Sequence, residues 1–135
     1  MTDARYVPRE FCLPIHEFGT SASVKWPALT LTGEASADRV QAARRDASFI
    51  QHEVARQVRT RLKDVRTSVT AVAEACGMKP ERLRRVLRGE VPIRLDDVTL
   101  LDLVLGELKL PPGAPLREHI RTRSTRDGDA AGLQH

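Results

Sequence analysis

The sequence predicts a mainly α protein: a compact bundle of about five helices, preceded by an extended or β-hairpin segment. Three observations carry that prediction. Apolar residues recur at helical spacing in successive stretches from Ile50 onward. Aromatic residues are scarce, with Trp26, Tyr6 and three Phe in 135 residues, so a core must be built from Leu, Val, Ile and Ala, which suits a small bundle. Residues 1–43 read differently, because Pro8, Pro14 and Pro27 punctuate them and no helical period runs through. A chain of this length accommodates one compact domain plus arms.

In the first segment, Val24 to Thr32 favours an extended backbone, with Leu29 and Leu31 alternating against Thr30 and Thr32. Phe11 to Ile15 is its candidate partner, and Gly19 to Ser21 falls in the connecting loop. A lone hairpin is marginal in water. Such strands are therefore expected to pack on the bundle or pair with a second chain; the alternative is an arm that orders only on binding. From Gly33 to Asp38 small and polar residues mark a linker or helix start. A long helix is expected from Ser36 or Asp46 to Val65, with Ile50, Val54, Val58, Leu62 and Val65 as its apolar stripe. Arg44, Arg45, Arg56, Arg59, Arg61, Lys63 and Arg66 lie mostly off that stripe. They read as a solvated face, or, for one or two of them near Arg66, as phosphate contacts.

Ser68 is placed to cap the next helix, in which Val69, Val72, Ala73 and Cys76 share one side. Gly77 supplies a left-handed stop, Met78 turns back into the corner, and Pro80 opens another helix without losing a needed N–H. Two short helices joined at a glycine make a helix-turn-helix the natural reading. In the second, Leu83, Val86 and Leu87 face inward, which leaves Glu81, Arg82, Arg84, Arg85 and Arg88 outside. Four arginines this close repel one another unless something anionic lies opposite. Glu90 to Arg94 is a turn, and Leu95-Asp96-Asp97 opens the following helix, its acids answering the helix dipole. Val98, Leu101, Leu105 and Leu108 form its packing face, flanked by Leu100 and Val104. Pro111-Pro112-Gly113 ends it, Ala114 to Arg123 suits one more short helix, and the polar tail from Ser124 to His135 is expected to be disordered. The chain thus divides into an arm or hairpin (1–43), a helix-turn-helix domain (44–110), and a short helix with a tail (111–135).

Charge sharpens the division. Residues 1–43 carry four basic and five acidic side chains, residues 44–94 thirteen and six, and residues 95–135 five and seven, so the net +4 splits into −1, +7 and −2. Positive charge gathers on the helix-turn-helix and the helix before it, as a phosphate-binding face requires.

The stretch Val72-Ala73-Glu74-Ala75-Cys76-Gly77-Met78, with Leu83, Val86, Arg88-Gly89 and the leucine-rich run from Leu95 to Gly106, resembles the lambda repressor/Cro-like (XRE-type) helix-turn-helix family over roughly residues 46 to 108. Family members often place Gln or Thr where this chain has Val69, and Glu where it has Leu87. The resemblance implies a bundle of about five helices and a bacterial or phage type of sequence-specific DNA-binding transcriptional regulator. It carries Lys79, Glu81, Arg82 and Arg85 over to base or nearby backbone contacts, and Arg88 to phosphate. The residues themselves point the same way. A helix in the major groove reads bases with its early residues, so Arg82 and Arg85 suit guanine and Glu81 suits a cytosine amino group. Arg84 and Arg88 flank that face and suit phosphates. Ser68 completes the candidate DNA-binding set.

A dimer reading two half-sites would draw on the N-terminal segment, with Trp26 and Leu29 as its contacts. Two other readings stand beside the regulator. One is a protein-interaction module, antitoxin-like or a phage-assembly partner; the other is a terminase or recombination accessory protein that keeps the DNA contact. An enzyme is disfavoured: His16, His52, His119 and His135 are scattered, and neither a nucleophilic triad nor a phosphate-binding glycine loop appears. Cys12 and His16 lack a second ligand pair, so no metal and no cofactor is expected, and Cys76 reads as a small buried hydrophobe. No apolar run reaches membrane-spanning length, and the first residues lack a hydrophobic signal segment, so a cytoplasmic location is expected.

Overall fold

The computed structural model describes residues 5–109 of the chain. Four α-helices occupy most of that span: α1 (Ala35–Asp64), α2 (Val69–Cys76), α3 (Pro80–Leu87) and α4 (Leu95–Leu105). Among the described residues there is no β-strand. The expected helix at 114–123 and the tail lie outside the described residues.

α1 takes the earlier of the two starts, so the boundary drawn at residue 43 falls inside it. The Glu34 carboxylate accepts from the backbone N–H groups of Ser36 and Ala37, closing two orphan donors of the first turn. Its stripe meets the core at Val54 and Val58, with Ile50 and Leu62 packed at the edge. Val65 is exposed instead, because the helix has already ended at Asp64. The buried surface is also wider than one stripe, since Ser48, Gln51, His52 and Ala55 are enclosed as well. α1 therefore has two packing faces.

The first face holds α2, α3 and α4. Val72, Ala73, Cys76, Leu83, Leu87, Leu101, Leu105 and Leu108 close around Val54, Ala55 and Val58. Ser68 caps α2 by accepting from the Ala71 N–H at 3.1 Å. α2 stops at Gly77, whose φ of 73° is left-handed, while the Met78 N–H returns to the Ala73 carbonyl at 2.9 Å. On α4, Leu101 and Leu105 are buried and Val98 is half-buried, as its spacing predicts, but Leu95 and Leu103 point outward.

The second face of α1 carries the N-terminal segment. The expected hairpin is not formed: a single antiparallel bridge, Leu13 with Lys25, is all that remains of it, with hydrogen bonds of 2.9 and 2.8 Å. Two short 3-10 turns, Pro8–Phe11 and Ile15–Glu17, replace the first strand. Prolines at 8 and 14 withhold the donors a ladder needs. The apolar side chains find other partners. Cys12, Phe18 and Val24 form a small second cluster with Trp26, and Trp26 lies edge-on to Phe49 and His52 of α1 at 5.5 Å each. Trp26, expected at a dimer contact, is thus engaged within its own chain.

Candidate nucleic-acid interface

α3 is only eight residues long and would not persist alone in water. Three attachments fix its C-terminal end. The Gln51 amide, buried on α1, donates to the carbonyls of Val86 (3.0 Å) and Val91 (2.9 Å) and accepts from the Ile93 N–H (2.8 Å). Arg59 of α1 donates to the Leu87 carbonyl at 3.3 Å. From the N-terminal segment, the Arg9 N–H donates to the Gly89 carbonyl at 3.0 Å, and the Phe18 ring lies flush against Gly89. Gly89 has φ 72°, and a Cβ there would come within 2.6 Å of that ring, so both its backbone and its contact demand glycine.

With its apolar side held, α3 turns Glu81, Arg84, Arg85 and Arg88 outward; the three arginine side chains are 41, 50 and 46% exposed. Lys79 is exposed at the N-cap position, ahead of Pro80. Ser68 sits at the exposed start of α2. Lys79, Glu81, Arg84, Arg85 and Arg88 thus gather on and beside one helix. Arg82 differs from them. Its guanidinium makes a two-pronged contact with the Asp97 carboxylate of α4, at 3.1 and 2.5 Å, and Asp97 also accepts from the Arg94 N–H at 3.0 Å. Burial acts to raise the Asp97 pKa, but the hydrogen bonds from Arg82 and the Arg94 backbone outweigh it and hold the carboxyl below its ordinary value. Arg82 therefore serves as a strut between α3 and α4, its guanidinium already engaged within the chain.

The like charges are interleaved with acids of the same chain. Glu81 lies 3.7 Å from Arg84 and 3.4 Å from Arg88, and Glu90 lies 3.7 Å from Arg85 and is hydrogen-bonded by Arg88. Arg84 also donates to the Thr70 hydroxyl of α2 at 2.8 Å. The hydrogen bond from Arg88, opposed by desolvation, lowers the Glu90 pKa. These solvent-exposed pairs are weak and exchangeable. The N-terminal segment borders the outward side. The segment runs alongside it, leaving a cleft of about 690 Å³ where Arg5, Tyr6 and Val7 face Arg82, Arg85 and Arg94.

Sequence reasoning missed Gln51, Asp97 as the partner of Arg82, and His52. Gly19 donates its N–H to His52 Nδ1 at 2.7 Å, which places the ring proton on Nε2 and ties the N-terminal segment to α1. Cys12 is buried and its thiol is directed at the carbonyls of Arg9 and Pro14, whereas His16 is exposed. Among the described residues no group of three or more His, Cys, Asp or Glu is placed to hold a metal, and no helix is long and apolar enough to cross a membrane. No protein-family model matches the chain, and neither a curated protein nor a solved structure matches it.

Proposed function

We propose that the protein is a sequence-specific double-stranded DNA-binding regulator, of bacterial or phage type, in which α2 and α3 act as a helix-turn-helix and α3 enters the major groove. One observation carries this reading: a short helix, secured along its apolar side and at its C-terminal end, turns Glu81, Arg84, Arg85 and Arg88 to solvent, with Lys79 at its start. Arg85 is the strongest candidate for a guanine, because it is the most exposed of the α3 arginines and its one acid lies 3.7 Å away. Arg84, Arg88 and Ser68 suit phosphates along the flanks. A chain acting through two half-sites would need to dimerise, and that step belongs to the same proposal.

Selection of bound duplexes from a random pool tests it. A recovered motif, with affinity that falls steeply as salt rises, is the expected result. Binding indifferent to both sequence and salt overturns it. The protein-interaction reading draws on a different feature, the outward Leu95 and Leu103 of α4, the latter 82% exposed. A stoichiometric protein partner captured without DNA would favour that reading.

A further inference from the structure

Along α1, beside the N-terminal segment, lies a second basic feature. Arg56, Arg59, Thr60 and Lys63 stand at i, i+3, i+4 and i+7, hence on one face, and with Thr20 they line a cleft of about 420 Å³. Three cations border it and no acid lines it. Arg56 is answered by Glu53 at 2.9 Å, but among the described residues neither Arg59 nor Lys63 has a carboxylate within ion-pair distance. Arg59 is the telling member. Among the described residues its buried Nε–H meets no acceptor, and its one hydrogen bond is the long one to the Leu87 carbonyl. Burial, and then the charge of Arg88, push the Arg59 pKa down from its ordinary value. A guanidinium that is partly desolvated, faces another cation and lacks a counter-ion is held at a cost that an anion would relieve.

We propose that this cleft binds a phosphate-class oxyanion, with the Arg59 fork and the Lys63 ammonium as its principal donors, Arg56 as a third cation and the Thr60 hydroxyl on the same face. A tetrahedral dianion suits the site better than a carboxylate, because three cations spread over two helical turns can each meet a different oxygen. Two sources supply that chemistry. Arg88 adjoins Arg59 at the end of α3, so the cleft continues the basic surface of that helix and a phosphodiester of bound duplex could occupy it. The other source is free phosphate. Only the duplex source rests on the DNA-binding reading; the site itself stands without it.

The test has two arms. In the first, thermal unfolding of the full chain is followed in sodium orthophosphate against sodium chloride at equal ionic strength and pH. A saturable rise in Tm of roughly 4 °C is expected. It should shrink by at least half in Lys63→Gln and in Arg56→Gln, both at exposed or half-exposed positions, and vanish in Arg59→Met if that variant folds. In the second, binding to a selected duplex is measured against salt. If a DNA phosphate is the occupant, Lys63→Gln lowers the slope of log K against log salt by about one, with sequence preference unchanged. A phosphate response with an unaltered DNA slope assigns the cleft to a free oxyanion. If phosphate and chloride act alike on the wild type, and Lys63→Gln leaves the DNA slope intact, the proposal is overturned. Absence of all DNA binding would sink the regulator reading while leaving the first arm decisive for the cleft.

Discussion

Replacing Gln51 by Leu keeps the side chain's approximate volume and removes all three of its hydrogen bonds. The Val86 carbonyl still accepts from the Gly89 N–H at 3.0 Å, but the Val91 carbonyl and the Ile93 N–H have no other partner among the described residues. An enclosed polar group left unmet costs roughly 1–3 kcal/mol. Both groups sit in a partly buried turn where water can reach in, so the lower half of that range applies and the two together give about 3 kcal/mol. With a urea slope of about 1.5 kcal/mol per molar, the unfolding midpoint falls by about 2 M. Hydrogen exchange supplies the local readout, since the Ile93 amide should lose its protection ahead of the amides in α1. Gln57→Leu is the control, because its contacts are with the exposed backbone of Lys109 and its loss should cost about 1 kcal/mol or less. A change at Gln51 below about 0.5 kcal/mol, or one equal to the control, would refute the claim that this amide fastens α3 and the following turn to α1.

Gly89→Ala meets both a left-handed backbone and the Phe18 ring, and should cost about 2–4 kcal/mol; Gly77→Ala meets the backbone term with open space around it and should cost about 1 kcal/mol, so chemical unfolding of the pair isolates the grip of the N-terminal segment. His52 has a pKa lowered chiefly by burial, so the neutral ring is the folded form. Its contribution is complete above the unfolded value of about 6.5 and is lost as pH falls through the lower folded value. Urea midpoints should therefore drop between pH 7.5 and pH 5.5 in the wild type and drop less in His52→Gln; parallel curves would exclude His52 as the cause. Arg85→Ala should weaken binding to a selected duplex by ~1–3 kcal/mol and relax preference at one base position, whereas a uniform loss across sequences would assign Arg85 to phosphate. Glu90→Gln should raise affinity for unselected duplex by roughly two- to fivefold in a filter or fluorescence assay, and an unchanged affinity would show that Arg85 and Arg88 do not meet the DNA backbone.

The central helices were legible because their signals are local. Ser68, Gly77, Pro80 and Gly89 each act on a backbone within five residues, and the spacing of Leu83, Val86 and Leu87 marks the inner side of α3 without reference to anything distant. Legibility failed where partners lie far apart along the chain. The second packing face of α1 runs through Ser48, His52 and Ala55, small or polar residues that add nothing to a hydrophobic period. It faces Phe18 and Gly19, more than thirty residues earlier. With that surface silent in the sequence, the apolar residues of the N-terminal segment have only each other as visible partners, and a hairpin is the pairing they suggest. The Asp97 contact of Arg82 is hidden from the sequence for a related reason. Arg82 shares a helix face with Arg85, but the Asp97 carboxylate fifteen residues on captures it, and helical spacing cannot report on a second helix.

The acids among the α3 arginines bear on how such a surface could discriminate. Each exposed pair contributes little in water, so a phosphate approaching Arg84 or Arg88 displaces Glu81 or Glu90 at small cost but must also tolerate the displaced carboxylate nearby. That opposition applies to any duplex, whatever its sequence. On the proposed DNA-binding reading, a favourable base contact from Arg85 would be gained only on the right sequence. Glu90 also lies 3.7 Å from Arg85, so on that reading the acids would oppose phosphate and base contacts alike, and only the base contact, which depends on sequence, would separate one duplex from another. Rigid attachment serves the same end. Gln51, Arg59 and Arg9 fasten the C-terminal end of α3 before any ligand arrives, so little ordering entropy is left to pay on binding. A loosely held helix could reshape itself to many ligands; one fixed at Val86, Leu87 and Gly89 would, on the proposed reading, meet each duplex with the same arrangement of Glu81, Arg84 and Arg85.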